Sequence, residues 1–123
     1  GRKDAYKILQ QKGLIEIMTS SFVRGLTFDK AIIIVDECQS MTYHELDTII
    51  TRVGESSKII FCGDTKQDDL NISRNKADVS GLGHFLKVLN RISCFETIKF
   101  TSDDIVRSGL VKEYILAKEQ IAA

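Results

Sequence analysis

The stretch Ala31-Ile32-Ile33-Ile34-Val35-Asp36-Glu37 decides the fold. Five apolar and mostly β-branched residues in an unbroken run read as a strand covered on both faces, because a strand with one wet face alternates polar and apolar residues. The run then stops at two carboxylates. Lys58-Ile59-Ile60-Phe61-Cys62 repeats the pattern and enters Gly63-Asp64-Thr65-Lys66-Gln67. Between the two strands, Thr42-Tyr43-His44-Glu45 has the form of a capping box. It opens a helix whose apolar stripe is Leu46, Ile49, Ile50 and Val53 and whose end is marked by Gly54. A strand, a helix and a second strand in that order predict a parallel pair with a helical crossover, the repeating unit of an α/β fold.

Working outward, residues 4–12 read as the end of a helix, closed by Gly13 in the position that favours a left-handed cap. Leu14 to Met18 alternates as a strand would. Leu82, Phe85, Leu86 and Leu89 share one helical face, Phe95 to Phe100 reads as a last strand, and Leu110, Val111, Tyr114, Ile115 and Lys118 follow helical spacing. No repeat or low-complexity tract interrupts the chain, and the absence of proline removes the usual linker signature, so residues 1–123 are read as one domain. Seventeen basic residues balance seventeen acidic ones, and bulk charge therefore gives no support to a polyanion partner. Three cysteines without a C-x-x-C pair are read as reduced and buried, in a cytoplasmic setting. No apolar run approaches the roughly 20 residues that span a bilayer, so no membrane partner is expected. The chain begins Gly1-Arg2-Lys3 without Met and is read as an internal fragment or a processed chain.

The acids have a chemical use. In open α/β sheets ligands bind beyond the carboxyl ends of the strands, where Asp36-Glu37 and Gly63-Asp64 are expected. An Asp at a strand tip can hold the oxygen shell of Mg²⁺, and a neighbouring Glu can orient or deprotonate a water that attacks a phosphate. Taken alone, Asp36-Glu37 could equally begin a loop, and Gly63-Asp64 could be a plain turn. His44 and His84 lack the spacing of a zinc pair and are read as helix-surface residues.

Together these pieces resemble a family. Asp36-Glu37-Cys38-Gln39 resembles the D-E-A-Q motif, and Gly63-Asp64-Thr65-Lys66-Gln67 the G-D-x-x-Q motif, of superfamily-one helicase-like ATPases. From about residue 14 to 120 the chain resembles the phosphate-starvation-inducible PhoH-like proteins, through Arg24-Gly25-Leu26-Thr27, Thr51-Arg52-Val53-Gly54, Ser80-Gly81-Leu82 and Asp104-Ile105-Val106-Arg107. The resemblance implies a three-layer P-loop NTPase fold with a mostly parallel sheet, of which this chain is the C-terminal portion of a single ATPase domain. It implies ATP and Mg²⁺, with Asp36 as the Walker B magnesium ligand and Glu37 as the catalytic base. Gln39 and Gln67 would touch the nucleotide or its attacking water. Gly63, Asp64, Arg52 and Arg24 would lie about the nucleotide, and Arg107 would be an arginine finger offered to a neighbouring subunit. RNA or single-stranded nucleic acid, and a homo-oligomeric ring, are implied as partners. The chain departs from the family in carrying Cys38 where alanine is usual and in having no proline.

The phosphate-binding pattern G-x-x-x-x-G-K-[ST] occurs nowhere in the 123 residues. Without it there is no nest of backbone N–H groups and no lysine for the β- and γ-phosphates. The fold is thus expected to be incomplete, with the phosphate-loop strand upstream of Gly1, and the chain by itself to be a poor ATPase. The alternatives are a non-catalytic interaction module that keeps the fold and, more remotely, a receiver-like phosphoryl-handling domain.

Overall fold

The computed structural model describes residues 3–65 and 81–122. These divide into two compact units, residues 1–91 and 92–123. The first holds helix α1 (Ala5–Gln11), strand β1 (Ile32–Val35), helix α2 (Tyr43–Ile50), strand β2 (Lys58–Phe61) and helix α3 (Leu82–Leu89). The second holds helix α4 (Gly109–Ala122), preceded by a 3-10 turn at Ser102–Asp104.

The expected strand–helix–strand unit is present. β1 and β2 pair in parallel, with Ile32 opposite Lys58 and Val35 opposite Phe61. Two further backbone bonds extend the ladder past the strand ends: Cys62 N–H donates to the Val35 carbonyl (2.8 Å) and Cys38 N–H to the Cys62 carbonyl (3.0 Å). The acidic turn after β1 and the glycine turn after β2 are thereby fixed side by side. The capping box also forms. Thr42 Oγ1 accepts from Glu45 N–H (3.3 Å), and Glu45 Oε2 accepts from Thr42 N–H (2.8 Å), satisfying two donors at the start of α2.

The core lies on one face of the sheet. Val35, Leu46, Ile49, Leu82, Phe85 and Leu89 are buried there, with Leu46 and Leu89 sealed completely. Phe61 of β2 meets Phe85 of α3 edge to face at 5.1 Å between centroids, and Tyr43 of α2 meets the same ring at 6.3 Å. Gly81, which heads α3, packs so tightly against the Tyr43 backbone that any side chain there would collide with it.

Several expectations need correcting. Among the described residues nothing covers the opposite face of the sheet: Ile32 is 71% exposed, Ile34 67% and Ile60 49%. An apolar run records what a strand would bury but not whether a covering layer lies in the same stretch of chain. Among the described residues the sheet has two strands, so an α/β architecture is established and three layers are not. Leu14–Met18 is not a strand; Ile17, Met18, Phe22 and Leu26 instead line an open apolar hollow of about 380 Å³. Residues 95–100 are not a strand either. α2 ends at Ile50 rather than Gly54, and Val53 forms an isolated parallel bridge with Phe28. α4 forms where its periodicity placed it, yet no residue of it is buried. Of the three cysteines Cys38 alone is buried, Cys62 being half-buried and Cys94 exposed. Gly13 does adopt the left-handed φ of +70° expected after α1.

Candidate functional site

At the carboxyl end of β1 the chain turns sharply. Glu37 is in the left-handed region (φ 52°, ψ 40°), which costs a non-glycine residue about 1–2 kcal/mol. Its N–H donates to Asp36 Oδ1 at 3.0 Å, and a 3-10 turn, Cys38–Ser40, follows at once. Both Asp36 and Glu37 face solvent, whereas the next two residues, Cys38 and Gln39, are buried. The turn therefore presents two carboxylates outward from an anchored base.

Gln39 is the anchor. It is 3% exposed, and both ends of its carboxamide are used. Oε1 accepts from the Asp64 N–H at 3.1 Å, while Nε2 donates to Glu37 Oε2 in a short contact. A backbone N–H needs an oxygen opposite it and a carboxylate needs a donor, so the two partners fix the orientation of the amide without ambiguity. One side chain thus ties the acidic turn after β1 to the loop after β2.

Gly63 makes this approach possible. A Cβ at that position would lie 2.6 Å from Cys38 Sγ and 2.7 Å from Gln39 Oε1, closer than real contacts allow. The requirement is for space, not for a glycine-only φ. Cys38 fits the gap as a small packing group. Burial pushes its thiol pKa up, the Cys62 thiol and the Asp36 and Glu37 carboxylates add to that push, and a backbone hydrogen bond opposes it. It is held as a neutral thiol rather than a nucleophile. Gly63→Ala is accordingly expected to force the two turns apart and to lower the thermal midpoint, by about 1–3 kcal/mol of stability. An unchanged midpoint, read by circular dichroism, would show that the gap tolerates a methyl group.

Asp36, Glu37, Gln39, Gly63 and Asp64 are therefore brought together. The structure does not bring Arg52 to them. Its carbonyl accepts from Phe28 N–H (2.9 Å), which sets it before the start of β1, at the opposite end of the strands. There its Nε is buried without a hydrogen-bond partner among the described residues. Arg24 lies against the first turn of α2, with Nη2 3.2 Å from His44 Nε2, in a polar hollow with Ser20, Ser21, Glu45 and Thr48. Nothing in the sequence signals this Arg24–His44 contact, because it joins positions 20 residues apart with the whole of β1 between them. His84 rests its ring on Tyr43 at 4.9 Å. Arg107 is exposed in the second unit. Gln67 lies outside the described residues, as does Lys66 of the same motif.

The donor set accords with a hard cation held jointly with a ligand. Asp36 and Glu37 offer carboxylate oxygens to solvent, but among the described residues no three His, Cys, Asp or Glu side chains gather as a metal cage. Magnesium is commonly bound in that way, by one or two carboxylates completed by substrate phosphates and water.

Comparison with known proteins matches residues 2–119 to the family described as PhoH-like protein. The chain belongs to the PhoH-like family. It is 36% identical over 112 residues to a PhoH-like protein of Bacillus subtilis, covering 91% of this chain and 34% of that protein. It is 34% identical over 107 residues to a PhoH-like protein of Mycobacterium tuberculosis, covering 87% of this chain and 29% of that one. Protein PhoH of Escherichia coli is 31% identical over 112 residues, covering 91% and 30% respectively. The chain thus spans about a third of the length of the curated relatives it matches. No helix among the described residues is long and apolar enough to cross a membrane.

Proposed function

We propose that this chain supplies the hydrolysis side of a cytoplasmic PhoH-like ATPase with a P-loop NTPase fold. Asp36 would hold Mg²⁺ jointly with the phosphates of ATP, and the ion would supply charge neutralisation there. Glu37 orients the attacking water and takes its proton, while Gln67 and the Gly63-Asp64 loop monitor the γ-phosphate. Arg107 is offered to the γ-phosphate of a neighbouring subunit in a homo-oligomeric ring, where a planar guanidinium suits charge that spreads over phosphate oxygens. Arg24, beside the first turn of α2, belongs to the wider surroundings of the nucleotide, whereas Arg52 stands at the far end of the strands and is given no part in it. The work driven by hydrolysis is the remodelling or unwinding of RNA or single-stranded nucleic acid.

One observation carries the reading. Two solvent-facing carboxylates stand at the carboxyl end of one parallel strand and are tied by a buried amide to the glycine turn of its neighbour. A loop with no chemistry to perform has no physical need of a strained Glu37 held from both sides. Family membership supports the same reading.

The test is phosphate release from Mg·ATP by the full-length protein, beside Asp36→Asn. Wild type is expected to turn over. The variant is expected to lose activity that excess Mg²⁺ does not restore, because an amide is a far poorer cation ligand than a carboxylate. Turnover by Asp36→Asn at the wild-type rate would overturn the magnesium assignment. A wild type that releases no phosphate would leave the interaction-module reading in its place.

A further inference from the structure

We propose that Gln39 is a positioning residue: its carboxamide sets the side chain of Glu37 and ties it to the Gly63-Asp64 loop, rather than touching nucleotide. The inference rests on Glu37 being the base. It replaces the direct nucleotide contact that the family resemblance implies for Gln39.

Three observations converge. Among the described residues Gln39 is the buried polar side chain of the fold, at 3% exposure, so little of it is open to a ligand in solvent. Its oxygen is committed to the Asp64 N–H and one of its N–H groups to Glu37 Oε2. The residue it holds is in a left-handed backbone conformation that a glutamate adopts only when its surroundings enforce it. A second set of contacts reinforces the placement. Gln39 follows Cys38, whose N–H is bonded to the Cys62 carbonyl, so the base of the amide is clamped by backbone to the end of β2.

The choice of side chain follows from the geometry. Asparagine has the same groups but is one methylene shorter, and it would not span from the turn to both partners. Glutamate would set a carboxylate against a carboxylate and lose the donor. Methionine has nearly the same volume and flexibility as glutamine, and it fills the hole while making neither bond. Gln39→Met thus removes the tie with little change in packing.

The experiment has two arms, both on the full-length protein. In steady-state ATP hydrolysis, Gln39→Met is expected to lower kcat by about 10- to 100-fold, the usual cost of losing an outer partner of a reacting group, with KM for ATP nearly unchanged. Added to Glu37→Gln it should cause little further loss. A raised KM at wild-type kcat would mean that Gln39 binds nucleotide directly, and would overturn the proposal. The second arm needs no turnover: a double-mutant cycle of Gln39→Met and Glu37→Ala in urea unfolding. Coupled side chains give a non-additive cycle, as expected here, whereas strict additivity would remove the tie. Because this arm is independent of hydrolysis, failure of the ATPase reading and failure of the positioning role give different results.

Discussion

Glu37→Gln in the full-length protein is expected to slow ATP turnover by about 10²- to 10⁴-fold, the range associated with losing a positioned general base. That corresponds to about 3–5.5 kcal/mol in the barrier, at about 1.36 kcal/mol per decade. The substitution is nearly isosteric. The new amide can still accept from Gln39 Nε2 through its oxygen, so the tie to the Gly63-Asp64 loop survives. Asp36 is untouched, and the affinity for Mg·ATP should stay close to wild type. Only the capacity to take a proton is lost. Single-turnover phosphate release paired with a fluorescent-nucleotide titration separates the two quantities. Wild-type turnover would mean that the proton goes elsewhere. Loss of binding together with turnover would mean that Glu37 holds the cation instead.

The second large effect concerns stability. Leu46→Ala is expected to cost about 2–5 kcal/mol, against a total of about 5–15 kcal/mol for a typical domain. Leu46 is completely buried on the inner stripe of α2, in the core shared by the sheet, α2 and α3. Deleting its isobutyl group removes apolar burial and leaves a cavity between elements that cannot close freely. The control is Ile34→Ala on the open sheet face, where the side chain is 67% exposed. Its cost should stay under about 1 kcal/mol, mostly lost strand preference. Thermal melts of the two variants beside wild type decide the point. Equal shifts would mean that the open face is covered in the full-length protein and that Ile34 is core after all.

The contrast between Leu46 and Ile34 also marks how far the sequence could be read. Leu46 belongs to an amphipathic helix placed by its spacing, Ile34 to an unbroken apolar run read as a strand, and both elements form where expected. Helix α2 was legible because its signals are local: a capping box, and a stripe at 3.6-residue spacing. β1 and β2 were legible because β-branched runs have few other uses. The apparent strand at Leu14–Met18 misled because alternation is necessary but not sufficient. A strand also needs a partner for its backbone, and none pairs with this segment among the described residues. Residues 95–100 failed for the same reason. Gly54 reads as a helix stop, yet its requirement is spatial: a side chain there would strike Asp29 and the Phe28 carbonyl.

The candidate site divides along the same line. Asp36, Glu37, Gly63 and Asp64 were found from strand ends meeting acids and glycine, a signal contained within a few residues. The role of Gln39 was not legible. Its two bonds reach Glu37 and a residue 25 positions away, and only the parallel register of β1 and β2 brings that second partner within 3.1 Å. Arg52 shows the converse. Its motif placed it with the nucleotide, whereas the direction of α2, running back along the sheet, carries it to the far end of the strands. By itself, then, the sequence determined the elements whose hydrogen bonds and apolar contacts close within a few residues, and the two turns that carry the acids. The tertiary structure decided which of those residues meet, which sheet face is open and which amide holds Glu37. Those contacts depend on strand pairing and packing between segments far apart along the chain, and no local pattern encodes them.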